Sequence, residues 1–147
     1  MAIVVNSATF VDTSGACRVA AVRLRPVSSA SFVEGPLAEG SLVTGFAGNL
    51  LQGESAATSQ PLPTTLGGLQ VRVTDAAGAV WNVPMLYAGP TQVNFVLPAG
   101  MREGQATVNI VAGSTTRATA TVNIARVQPS LFAADASGRG QAAAVGI

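Results

Sequence analysis

An all-β chain folded as a single antiparallel β-sandwich is the class this sequence predicts, and three observations predict it. Apolar and polar residues alternate with a period of two in several separate runs, the cleanest being Leu69, Val71 and Val73 against Gln70, Arg72 and Thr74. Turn-forming clusters at Asp75 to Gly78, Ala88-Gly89-Pro90 and Gly113-Ser114 separate those runs at hairpin spacing. No run carries apolar residues at helical spacing, so little helix is expected. The 147 residues suffice for one domain with a sizeable core and fall short of two ordinary ones.

The stretch from Trp81 to Pro98 supplies the centre. Trp81, Val83, Met85 and Tyr87 share one face of a strand, and after the Ala88-Gly89-Pro90 turn Val93, Phe95 and Leu97 share a face of the next. Around this hairpin the chain reads in order. Residues 3–11 form a β-prone segment that residues 27–33 nearly repeat, with Val, Ser, Ala, Phe and Val at matching positions. Between the copies, Val22 and Leu24 alternate with Arg23 and Arg25, as on a half-exposed edge strand. A strand follows at residues 41–50, with Leu42, Thr44 and Phe46 expected on the core side. Residues 52–65 carry two prolines and little periodicity, which makes them the longest expected loop. After the Trp81 hairpin, Val108 and Ile110 on one strand and Ala118, Ala120, Val122 and Ile124 on the next face inward. The core therefore comprises Leu42, Phe46, Leu69, Val71, Val73, Trp81, Val83, Phe95, Leu97, Val108, Ile110, Val122 and Ile124.

Composition excludes more chemistry than it proposes. Charged residues are 10% of the chain and the net charge is +1, so neither a nucleic-acid partner nor insertion into a membrane is expected. All eight basic residues are Arg, which rules out an isopeptide crosslink through Lys. Hydrolysis needs an activated nucleophile or paired carboxylates, yet there is no His and the seven acidic residues are scattered along the chain. No enzymatic activity, metal or cofactor is expected. The lone Cys17 has no internal disulfide partner; it reads as a buried small residue, against an intermolecular disulfide or a thioester with Gln92 or Gln105. The first residues have no basic region ahead of a long apolar run, so they read as neither signal peptide nor membrane anchor.

Several unusual motifs occur in succession: Glu39 to Leu50, Pro61 to Val73, Leu86 to Pro98, Pro129-Ser130-Leu131-Phe132 and Ser137 to Ala144. Over residues 27–145 the chain resembles the Solibacter-type C-terminal domain of acidobacterial secreted proteins, and more broadly the IPT/TIG group. The resemblance implies an immunoglobulin-like β-sandwich that acts outside the cell or at its surface, with no established activity. Here the family's opening motif is present twice, at Val5 to Phe10 and at Val27 to Phe32.

The chain divides into an N-terminal strand extension (1–26), the sandwich (27–133) and a C-terminal tail strand or linker (134–147). Two terminal segments are spare. One sandwich has one place for a given edge strand, yet the N-terminal segment duplicates one and the tail ends in apolar residues. The expected function is a structural subunit that forms a homo-oligomer or homopolymer by strand addition or exchange. Its assembly residues would be Ile3, Val5, Ala8 and Phe10 at one end and Ala142, Ala144, Val145 and Ile147 at the other. The alternative is a monomeric module that adheres to a surface polysaccharide or other carbohydrate, for which an exposed Trp81 would be the sign.

Overall fold

The computed structural model describes residues 9–11, 17–19 and 21–146, with side chains described from residue 21 onward. Two sheets face each other across one core, and no helix occurs among the described residues. The five-stranded sheet runs in the order β4 (Arg25–Ser28), β6 (Leu42–Phe46), β12 (Gln92–Val96), β11 (Met85–Ala88), β7 (Ser55–Ala56). The seven-stranded sheet is built on β10 (Val80–Asn82), β9 (Leu69–Thr74), β13 (Gly104–Ala112), β14 (Thr115–Ala125) and β3 (Val22–Arg23), in that order. The remaining two strands, β5 (Leu37–Ala38) and β8 (Thr65–Leu66), join it at β14 and β9. Apart from these, β1 (Thr9–Val11) pairs antiparallel with β2 (Cys17–Val19). All pairings are antiparallel except those of β3 and β5 with β14, which are parallel.

Alternation explains the core. In β9 the burial follows the sequence, Leu69, Val71 and Val73 in and Arg72 out. Register then sets Val73 beside Val108 and Val71 beside Ile110, with Ala120 and Ala118 beyond them. The facing sheet contributes Val43, Met85, Val93 and Phe95. Complete burial of a side chain the size of Phe95 is worth roughly 1.5–3 kcal/mol by transfer alone.

Three expectations change. The run from Trp81 to Tyr87 is two strands, since Val83 still donates to the Val71 carbonyl in one sheet while the Pro84 carbonyl accepts from Val96 in the other. Proline, which has no N–H to give a ladder, sits where the chain changes sheets. Strand β6 lies with the opposite face inward: Val43 and Gly45 reach the core, and Leu42 and Phe46 are half-buried on the other side. A Cβ on Gly45 would stand 3.1 Å from Leu24 and 3.2 Å from Val93, so the missing side chain is the space those residues occupy. Trp81 and Val122 are partly buried against the core; the other nine expected core residues lie within it. Upstream of position 27, Val22 and Arg23 pair with β14 and Leu24 is buried.

Candidate assembly surface

The tail has more local structure than its composition announces. Ala133 bridges Ala142, Ala134 N–H donates to the Gln141 carbonyl (2.8 Å) and Ala143 N–H donates to the Phe132 carbonyl (2.7 Å). The glycine-rich turn between these bridged segments is held by Asp135, whose carboxylate accepts from the Ser137 N–H and hydroxyl. Those bonds, the hydroxyl's first, keep the Asp135 carboxyl below the usual aspartate range, outweighing the desolvation that would raise it. Gly138 has φ +75°, and a Cβ there would lie 2.5 Å from the Ser31 carbonyl oxygen. A glycine at that position is what lets the tip of the hairpin rest on the Ser31-Phe32 turn.

This small hairpin keeps its apolar residues out of the core. Leu131 is 74% exposed, Phe132 51% and Val145 93%. Phe32 and Val33, on the turn against which the hairpin rests, are exposed as well. Of the residues expected to assemble, Ala142 is taken up in the hairpin bridge, while Ala144 and Val145 extend past it, exposed. Phe10 lies in β1, paired in register with Arg18. Ile3, Val5, Ala8 and Ile147 fall outside the described residues.

Sequence reasoning missed a second feature, on the outer edge of β14. Strand β3 pairs there with Ala118 and Thr119, and β5 pairs farther along with Ile124 and Ala125. Between them the chain crosses to the other sheet, forms β4 and returns, so Thr121 has no backbone partner on that side among the described residues. The interval opens into a cleft of about 620 Å³ bordered by Leu24, Pro26, Pro36, Ala120 and Val122. An ion pair between Arg25 and Glu34 stands at its margin. No local pattern could have shown this gap, because it depends on where two distant segments meet one strand.

At the end of the sandwich near the β9–β10 turn, a cleft of about 710 Å³ is lined by Trp81, Glu39, Arg102, Glu103 and Arg126. The indole is fixed by Asp75, whose carboxylate accepts from Trp81 Nε1 (2.9 Å), from Arg102 N–H (3.1 Å) and from the N–H groups of Ala77 and Ala79. The indole bond, followed by the Arg102 N–H, holds the buried Asp75 carboxyl below its ordinary range. No grouping of His, Cys, Asp and Glu suited to a metal occurs among the described residues.

No family model matches the chain, and no curated protein sequence does. A crystal structure from Bacteroides vulgatus ATCC 8482, provisionally described as a bacterial DNA-binding protein, is similar over 60% of this chain, at 20% identity and a TM-score of 0.39. The chain spans 39% of that protein's length. So distant a likeness carries no functional argument, and what stands is an all-β domain of two sheets.

Proposed function

We propose that this chain is an extracellular structural subunit that assembles with copies of itself by strand addition, growing into a filament. The observation that carries the reading is the apolar tail held away from the core, with Val145 93% exposed beyond the last hydrogen bond of its hairpin. Exposed apolar area costs about 25 cal/mol per Å², and a neighbouring molecule that covers it recovers that free energy. The low charge opposes close approach of copies only weakly. Donor and acceptor would be different surfaces, so the contact is heterologous and propagates unless its rotation closes a ring. The motif resemblance to the Solibacter-type domain supports placing the protein outside the cell or on its surface. Light scattering and electron microscopy of the purified chain, with and without residues 143–147, test the reading. Concentration-dependent polymers that disappear on truncation are expected; a full-length chain that stays monomeric at high concentration overturns it.

One observation favours the carbohydrate-binding alternative. Trp81 is partly exposed in a cleft with Arg102, Arg126 and Glu103, and an indole whose orientation is fixed by Asp75 could stack on a sugar ring. Titration with polysaccharide fragments, followed through Trp81 emission, is the corresponding test. A silent titration with every fragment tried removes this reading.

A further inference from the structure

Resting on the assembly reading above, we propose that the gap at Thr121 is the acceptor and that Ala144 and Val145 of a second copy fill it as a short parallel pairing. The edge itself dictates the direction. Strands β3 and β5 both run parallel to β14 and occupy the same edge, one on each side of the gap. On that edge the Thr119 carbonyl accepts from Leu24 N–H (2.9 Å) and the Ala125 carbonyl accepts from Glu39 N–H (3.2 Å). Backbone groups alternate along a strand, so Thr121, two residues beyond Thr119 and four before Ala125, directs both its N–H and its C=O the same way. By the registers of β3 and β5, Leu24 lies opposite Ala120 and Pro36 opposite Asn123, so the open interval is about 10 Å long, room for two extended residues opposite Thr121 and Val122. The detour between β3 and β5 passes Pro26 and Pro36, which bring no N–H of their own.

The donor is chosen by what remains unpaired among the described residues. Thr9–Val11, in the N-terminal segment, is already matched with Cys17–Val19. Ala144, Val145 and Gly146 are exposed, and the hairpin's bonds stop at the Ala143 N–H. With Ala144 opposite Thr121, the register follows the pattern that β3 sets. Thr121 N–H donates to the Ala143 carbonyl, Val145 N–H donates to the Thr121 carbonyl, and Asn123 N–H donates to the Val145 carbonyl. Val145 then lies opposite Val122, on the side of the sheet where Ala120 and Val122 pack against the core. The small neighbours Ala144 and Gly146 fall on the other side. A slip of one residue would turn Val145 to solvent, which is what sets this register.

Crosslinking tests the site separately from assembly. In a Cys17→Ser background, a Thr121→Cys chain and an Ala144→Cys chain carrying tags of different size are mixed and oxidised. Residues opposite each other on paired strands lie within disulfide reach. A mixed disulfide that forms faster than with a Thr116→Cys control, on the same strand but outside the gap, is expected. Equal trapping at Thr116 overturns the assignment of the gap. A chain bearing both cysteines that closes on itself in dilute solution overturns the second-copy donor. Independently of any cysteine, Thr121→Pro removes one of the edge N–H groups and should raise the concentration for half-assembly by about tenfold. If truncation of residues 143–147 abolishes polymers but neither Thr121 variant has an effect, the acceptor is wrong and the assembly reading survives. If full-length chains never associate, both fail.

Discussion

Two hairpins of this chain, β13–β14 and the one between Phe132 and Ala143, are built from the same kinds of residue and end in opposite situations. The first pairs along its length, broken only by a bulge at Arg117, and turns Val108, Ile110, Ala118 and Ile124 into the core. The second is held by a few backbone bonds, the Asp135-Ser137 contact and the seat of Gly138 on Ser31, while Leu131 and Phe132 face outward. Backbone pairing is common to both. What separates them is whether a second layer faces the paired strands, and only the first hairpin has one. A hairpin without such a layer is marginal by itself in water.

Perturbing each side of the contrast should therefore give very different responses. Phe95→Ala, at the centre of the first environment, should cost about 3–5 kcal/mol and lower the urea midpoint without changing the cooperativity of the transition. An unchanged midpoint would remove Phe95 from the core.

Acid should act next, through Asp75. Its folded pKa is lowered, so its contribution to stability is complete above the ordinary aspartate value of 3.8 and is lost as the pH falls through the lower folded value. Urea midpoints measured down that range should fall for the native chain and fall less for Asp75→Asn, which has no carboxylate to protonate. Parallel pH profiles would show that the indole bond contributes nothing to stability.

Gly138→Ala should act locally. The added methyl meets the Ser31 carbonyl, the hairpin lifts from its seat, and the amides of Ala134 and Ala143 exchange faster while those of β13 keep their protection. Equal acceleration in both hairpins would mean that the two are one cooperative unit. The smallest response belongs to Val145→Ser: within about 0.5 kcal/mol of the parent in monomer stability. A larger loss would show that Val145 supports its own sandwich.

The sequence was most legible where one face of a strand is dry and the other wet. In β9 and β14 the alternation marked the inward residues correctly, because Arg72, Thr121 and Asn123 on the other side meet solvent. It failed at β6 for a physical reason: Val43 faces the opposite sheet, but Thr44 is also buried, 1% exposed and hydrogen-bonded to the buried Ser29 (2.8 Å). A strand buried on both faces has no wet side to betray its register. The change of sheet at Pro84 was hidden because the residues on both sides of it point into the shared core, so the apolar pattern runs on without a break. Of the candidate assembly surface, the exposed tail could be read from the Gly-rich turn and the apolar residues after it; the gap at Thr121 could not, since it depends on the paths of β3 and β5.

The parallel placement of β3 and β5 against β14 also has a mechanical meaning. A pull on the chain ahead of Val22 and an opposite pull on the chain beyond Ala125 would slide β3 and β14 past each other along their length. The hydrogen bonds between them would be loaded together, in shear, instead of opening one after another like a zip. An antiparallel pairing of the same strands would peel under the same force. The short contacts at Val22–Arg23 and Leu37–Ala38 thus resist tension applied between the chain ahead of Val22 and the chain beyond Ala125.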